Sequence, residues 1–373
     1  MTTVKLVNRT QIYSASTRFM KSKLYGDRIN RIINFLSEQD ESPRVAKQIL
    51  RWIYRRGVTR FDQMNELSSH TRSKLIDKFG ESASSLTLGT LREGDSAAKS
   101  LLTCNIDGAR VEAVSLAFKK HHSLCISSQV GCAFGCAFCA TGKVGFRRQL
   151  SSSEISDQVL HLKKGPVSVS FMGMGEPLGN PKVFDAISAI VSPEQLGVSA
   201  ARVNVSTIGI IPAIAKLTEV HPRVNLTYSL HSPFPDQRIQ LMPIERVYPF
   251  KAVFEQLDYR IRVTNNRIWV AYLLLEGVND SIDHARALAE LIKQRPSEIR
   301  YLYHVNLLPY NEAKNVPGSL KRVSNISEFK NILDKDGISN SYRNSFGRGI
   351  DAACGQLFAE YESNSRTTED RLS

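Results

Sequence analysis

Three cysteines lie close together in the run Gly131-Cys-Ala-Phe-Gly-Cys-Ala-Phe-Cys139, which places Cys132, Cys136 and Cys139 at C-x3-C-x2-C spacing. That is three thiolates on one short loop, with no fourth cysteine beside them. Cysteine thiolates hold iron–sulfur clusters, and a four-iron cluster has four iron corners. Three ligands leave one iron open to a small molecule, and a low-potential cluster can push one electron into what binds there. The loop therefore points to radical chemistry. A structural zinc site would want a fourth ligand, and His121 and His122 lie upstream to supply one. A disulfide framework does not suit six cysteines in a chain of 373 residues.

The elements that must position this loop can be read from periodicity. Apolar residues at helical spacing predict helices over 28–38, 43–56, with Gly57 as the stop, and 68–79. The second of these carries Arg44, Lys47, Arg51, Arg55 and Arg56 on its polar face. Segments 100–106 and 109–118 flank Asp107-Gly108, a hairpin signal. Leu124 to Ser127 then leads into the cysteine loop. Beyond it, strands are predicted at 167–172, 202–206, 225–230, 268–275 and 301–307. Helices are predicted at 153–164, 181–191, 212–220, 250–263 and 281–293. Repeated βα units mean an α/β fold with a parallel sheet, open or closed into a barrel, whose chemistry gathers at the carboxyl ends of the strands. The glycine and polar motifs fall at those ends: Gly173 to Glu176, Ser206 to Gly209, Ser229 to His231, Glu276 to Asp280, and Pro309 to Asn311.

The organisation expected is a basic helical domain over 1–98, a linking β segment over 99–122, a catalytic α/β domain over 123–350, and a carboxyl-terminal segment over 351–373. The tail after Tyr361 has a disordered composition. The formal net charge of +13 favours a polyanionic partner, nucleic acid first. No stretch is apolar for long enough to cross a bilayer, and the first residues lack the apolar core of a secretory signal. The expectation is a cytoplasmic protein with reduced cysteines.

The motifs together carry a resemblance. The cysteine loop, with Phe138 before its last cysteine, resembles that of radical S-adenosylmethionine enzymes, and Phe171-Met-Gly-Met-Gly-Glu-Pro177 resembles their glycine motif. With Ser206-Thr-Ile-Gly209, Ser229-Leu-His231, Val278-Asn-Asp280 and Ile350-Asp-Ala-Ala-Cys-Gly-Gln-Leu357, the chain is similar to the RlmN/Cfr family of RNA adenine methyltransferases. The strings 207–212, 229–233, 302–306 and 344–347 resemble the Cfr type more closely. Pro177 is RlmN-like, and 341–349 matches neither type throughout.

The resemblance implies a partial (β/α)6 barrel with a small basic helical domain in front, joined by a β hairpin. It implies methylation of an adenosine carbon in 23S ribosomal RNA. The preferred carbon is C8, as in Cfr-type members that confer antibiotic resistance; the alternative is C2, where some members also act on transfer RNA. That carbon is electron-poor, lying between two ring nitrogens, so a carbon radical can add to it where a polar methyl donor cannot react. By family position, Cys132, Cys136 and Cys139 would ligate a 4Fe-4S cluster whose open iron binds S-adenosylmethionine. Gly175, Glu176, Ser206, Ser229, Leu230, His231 and Asn311 would contact that cofactor. Cys354 would carry the methyl group taken from one S-adenosylmethionine, and a second would supply the 5′-deoxyadenosyl radical. Cys125 would release the methylated RNA by forming a Cys125–Cys354 disulfide. Glu112 matches a general base, with Asp351 the alternative; Cys104 reads as structural. An external one-electron donor and a thiol reductant would be required, and the family default is a monomer. A non-methylating radical enzyme or a zinc-stabilised RNA-binding module would need neither Cys125 nor Cys354.

Overall fold

A computed structural model describes residues 27–119, 121–313, 316, 318–343, 347–353 and 355–357. Cys354 lies outside them. The amino-terminal helices are α1 (Asp27–Glu38), α2 (Pro43–Arg56) and α3 (Ser69–Phe79). The Ser42 side chain accepts from the Arg44 N–H ahead of α2, Pro43 opens that helix, and Gly57, at φ 68°, closes it. Ile29, Ile32, Leu36, Ala46, Ile49, Ile53 and Leu75 bury one face of each helix against Phe61, Met64 and Leu67. The basic face of α2 stays exposed at Arg44, Lys47, Arg51, Arg55 and Arg56. Arg28 fastens the unit internally, donating to the carbonyls of Ala83 (3.1 Å), Phe79 (2.6 Å) and Ser82 (2.6 Å).

The chain then enters one large sheet through β1 (Leu86–Glu93), β2 (Ala97–Cys104), β3 (Arg110–Ala117) and β4 (His122–Cys125), each antiparallel to the strand before it. The first of these strands was not expected. It is an edge strand with a register shift between Leu88 and Leu91, which breaks the alternation a reader relies on. A small separate sheet, β5 (Gln129–Gly131) with β6 (Phe146–Gln149), frames the cysteine loop and α4 (Ala140–Val144). Helix α5 (Ser152–Leu162) starts in a capping box made by Ser151 and Glu154. Alternation follows: β7 (Val167–Phe171), α6 (Val183–Val191), β8 (Val203–Thr207), α7 (Ile211–Val220), β9 (Asn225–Ser229), α8 (Pro235–Leu241), α9 (Phe250–Thr264), β10 (Ile268–Leu274), α10 (Ile282–Lys293), β11 (Tyr303–Pro309), α11 (Ser327–Lys335) and β12 (Asn340–Tyr342).

The sheet order is β1-β2-β3-β4-β7-β8-β9-β10-β11-β12, and the pairs from β4 to β12 are parallel. Six of those strands, β4 and β7 to β11, are each joined to the next strand of the sheet through helix, with the small β5–β6 sheet inserted after β4, which is the (β/α)6 arrangement. Strand residues alternate in role. On β8 and β9, Val203, Val205, Leu226 and Tyr228 join the main core under the helices, whereas Ser206, Thr227 and Ser229 line a cavity on the other side. Residues from β8, β9, β10 and β11 line that one cavity, so the sheet is curled into a trough. Among the described residues β12 does not pair back onto β1, so the barrel is partial. No helix of the described residues is long and apolar enough to cross a membrane.

Candidate active site

The cysteine loop is held from three directions. Cys132 donates its N–H to the Gly145 carbonyl (3.0 Å), Ala137 to Leu241 at the end of α8 (2.9 Å), and Ala140 to Gly355 in the carboxyl-terminal segment (3.0 Å). Gly131, at φ 76°, faces Gly145 so closely that a Cβ would fall 1.9 Å from its carbonyl oxygen. The loop thereby brings Cys132, Cys136 and Cys139 to one cavity of about 190 Å³, together with Gly175, Glu176, Ser206, Ser229 and His231. Burial pushes the Cys132 thiol up to about 11, and pushes Cys136 well above the ordinary thiol range, with its two neighbouring cysteines adding to the effect.

The glycine motif closes over the floor of this cavity. Met174 receives N–H groups from Ser128 (2.8 Å) and Gln129 (3.2 Å), and its own N–H donates to the Ser127 hydroxyl (2.9 Å). Gly175 sits at φ +91°, where a Cβ would lie 2.5 Å from that of Gln129. Glu176 is buried, and its carboxyl group accepts from the Thr207 hydroxyl (2.6 Å), the Ile208 N–H (3.0 Å) and the Leu178 N–H (3.1 Å). Burial pushes this carboxyl up to about 7. It ties the loop after β7 to the end of β8.

His231 occupies the left-handed region at φ 56°. Its Nδ1 accepts from the Leu273 N–H (2.9 Å), which places the proton of the neutral ring on Nε2. Burial, then Arg238, depress its pKa to about 3, so the ring stays neutral. Phe138 meets it edge to face at 5.0 Å. Asn279 holds the turn, donating to the carbonyls of His231 and Leu273 (2.7 Å each). Leu230 differs from the other expected contacts: its side chain is in the main core, and its carbonyl accepts from Arg238 Nε (2.9 Å).

Arg238 was not anticipated, because α8 is too short to announce itself by periodicity. It is fully buried, pairs with Glu245, and donates Nη2 to the carbonyls of Ile208 and Ser229 (3.1 Å each). One guanidinium thus fixes the ends of β8 and β9 behind the cysteine loop.

A second cavity adjoins the first and shares Met172, Leu308 and Arg343 with it. Cys125, Asn311, Ala352 and Ala353 line it. Cys125 is opposite Val114 in the β3–β4 register, and Glu112 lies two residues before Val114, so Glu112 belongs to the same sheet face. It is buried, 3.2 Å from the Lys99 ammonium, and Lys99 also donates to the Asp351 carbonyl (3.1 Å). Asp351 itself takes φ 52°. Thr141 donates to Leu357 (3.2 Å) and Gln356 to Glu312 (2.8 Å), so the chain on both sides of residue 354 is fastened to the sheet and the cysteine loop. Cys104 is elsewhere: fully buried in the main core, with its thiol pushed up to about 12 by burial and by Glu154.

Residues 126–290 match the model of the radical SAM superfamily, and residues 23–79 match that of the ribosomal RNA large subunit methyltransferase N-terminal domain. A protein named ribosomal RNA large subunit methyltransferase Cfr from Lachnoclostridium phytofermentans is 45% identical over 320 residues, covering 84% of this chain and 92% of the relative. The chain belongs to the RlmN/Cfr family of radical S-adenosylmethionine methyltransferases. A Cfr from Staphylococcus aureus is 41% identical over 90% of this chain and 97% of its own length. The crystal structure of a radical SAM methyltransferase from Sphaerobacter thermophilus superposes with a TM-score of 0.82 at 32% identity, over 89% of this chain and 98% of that one.

The radical S-adenosylmethionine family implies a cluster and the sulfonium cofactor, and the donor set fits both. Among the described residues, no three His, Cys, Asp or Glu side chains converge as the ligands of one ion would. A four-iron cluster asks for a wider set, since each thiolate binds a different iron. Buried thiols with raised pKa values stay protonated until a cationic metal centre claims them, which is the chemistry of such a loop. Gly175, Ser206, Ser229 and His231 line the same cavity as the three cysteines, so a group bound at the open iron would lie against them.

Proposed function

We propose that this chain methylates an adenosine carbon of 23S ribosomal RNA, C8 in preference to C2, with the methyl group carried on Cys354. The observation that carries the reading is the position of that residue's two neighbours. Ala353 lines the cavity of Cys125, and Gly355 lines the cavity of Cys132, Cys136 and Cys139.

Cys132, Cys136 and Cys139 would hold the 4Fe-4S cluster. When bound, that cluster supplies one electron to S-adenosylmethionine and so generates a hydrogen-abstracting radical. Gly175 leaves backbone clearance for the cofactor, and Ser206, Ser229 and the Nε2–H of His231 offer it hydrogen bonds. Leu230 acts through its backbone position, and Asn311 faces the neighbouring cavity where base and cofactor would meet. Glu176 lines the same cavity and accepts from Thr207, Ile208 and Leu178, which fixes its carboxyl group and leaves one acceptor site for the amino end of the cofactor.

Cys354 presents the carbon that joins to adenine. Glu112 takes the ring proton, held in register by Lys99. Once the adduct has lost that proton and one electron, the Cys125 thiolate attacks the Cys354 sulfur; the sulfur–carbon bond breaks, the released carbon takes a proton to become the methyl group, and a Cys125–Cys354 disulfide remains for an external thiol to reduce. A separate one-electron donor would be needed to supply that electron. The exposed basic face of α2 suits the phosphate backbone of the RNA. The preference for C8 rests on the Cfr-type strings and on the Cfr relatives named above.

Mass spectrometry of ribosomal RNA nucleosides from cells expressing the chain tests the reading. It should find 8-methyladenosine. Finding only 2-methyladenosine would move the target carbon, and finding neither would overturn the assignment.

A further inference from the structure

Barrel interiors are ordinarily plugged by layers of bulky branched side chains. This one is hollow below the cysteine loop. Ser168, Ser170, Asn204, Asn225, Thr227 and Asn306 face a groove of about 620 Å³ that runs from the amino-terminal ends of the strands past their middles. The groove is continuous with the reaction cavity through Met172, Thr227, Asn306 and Arg343. Among the described residues no carboxylate lines it; Arg202 and Arg343 do, and both are exposed. Flat rings form two of its walls: Trp269 on β10, and Phe118 stacked on His121 at 5.1 Å and 15°.

The amides in the groove are oriented. The Thr227 hydroxyl holds Asn204 Oδ1 at 3.0 Å, and the Ser341 hydroxyl holds Asn306 Oδ1 at 3.1 Å. Each bond leaves an NH2 group to donate to something else. Amide donors for the acceptor edges of a base, ring faces for stacking, and guanidinium groups for phosphate are what recognition of an unstacked RNA nucleotide requires. A volume of this size also lies within the ~300–1,000 Å³ of small-ligand sites.

We propose that this groove binds an RNA nucleotide adjacent to the methylated adenosine, with Asn204 and Asn306 on its base and Arg202 and Arg343 on its phosphates. The inference rests on the reading of the chain as an RNA methyltransferase. It adds a sequence-sensing position outside the reaction cavity.

Binding can be measured without the cluster, by fluorescence anisotropy of a labelled single-stranded RNA heptamer centred on an adenosine. Asn204→Leu removes the amide donor at nearly the same size and should weaken binding about tenfold with an unchanged salt dependence. Arg202→Gln, on the exposed rim and harmless to folding, should weaken binding and lower the salt slope by about one. Wild-type affinity in both variants, or no measurable binding of the heptamer by the wild type, would overturn the proposal. The two readings fail separately. If wild-type protein modifies ribosomal RNA while both variants bind like wild type, only the groove assignment falls; if wild type modifies no adenosine, the parent function falls.

Discussion

Replacing Arg238 by Met should be among the most damaging single changes outside the cysteines. The guanidinium is fully buried and pairs with Glu245, which is 4% exposed and also accepts the Phe250 N–H at 3.0 Å. Three carbonyls, those of Ile208, Ser229 and Leu230, lose their donor together. Removing one member of a buried ion pair costs about 3–5 kcal/mol, because the other charge stays in low dielectric. Met keeps most of the volume, so packing loss adds little. In urea, with a slope of about 3 kcal/mol/M for a chain this large, the midpoint should fall by about 1 M or more. Arg238→Lys should recover less than half of the loss, since one ammonium cannot span acceptors on β8, β9 and the turn holding Glu245. Equilibrium unfolding followed by circular dichroism measures this. A midpoint for Arg238→Met within about 0.3 M of wild type would refute the argument that this residue fixes the strand ends.

The buried Lys99–Glu112 pair makes a similar case: Lys99→Met should cost about 3–5 kcal/mol, and adding Glu112→Leu should restore more than half of it, read by the same unfolding curves. Asp157 is buried against the Ser85 N–H (2.6 Å) and the Ser84 hydroxyl (3.1 Å), and its carboxyl is pushed up to about 6 by burial. A carboxyl raised in the folded state binds more protons there than when unfolded, so stability falls as pH rises through about 4 to 6. Relative to Asp157→Asn, the wild type should therefore gain up to about 3 kcal/mol on acidification across that window, and a pH-independent difference would contradict this. Gly175→Ala should lower S-adenosylmethionine affinity at least tenfold in equilibrium dialysis of the reconstituted protein, because its Cβ would meet Gln129 at 2.5 Å; unchanged affinity would contradict it. Anaerobic reconstitution should load about four iron and four sulfide per chain, lost on Cys136→Ala, whereas stoichiometric zinc would favour a structural knuckle.

Much of the frame was legible because its signals are local. Val203, Val205, Leu226 and Tyr228 mark strands by alternation, Gly57 stops α2 through a positive φ, and the cysteine spacing fixes the loop. The glycine and histidine motifs fell at strand ends because parallel βα units put them there. What stayed hidden depends on distant partners. Arg238 reads as a surface arginine until the ends of β8 and β9 close on it. Lys99 looks like a strand lysine until Asp351, far along the chain, brings its carbonyl to it. Leu230 was placed among the cofactor contacts by motif alone, whereas its side chain turns into the core. The short α8, the edge strand β1 and the small β5–β6 sheet lack the length or regular period that periodicity needs.

The most direct test follows a methyl label from S-adenosylmethionine. Reconstituted protein is labelled without RNA, digested, and the peptide containing Cys354 is weighed; RNA, electron donor and thiol reductant are then added. The label should sit on Cys354 first and then pass to an adenine carbon, and Cys354→Ala should transfer none. Label reaching RNA from the Cys354→Ala protein, or never reaching Cys354 in the wild type, would contradict the account.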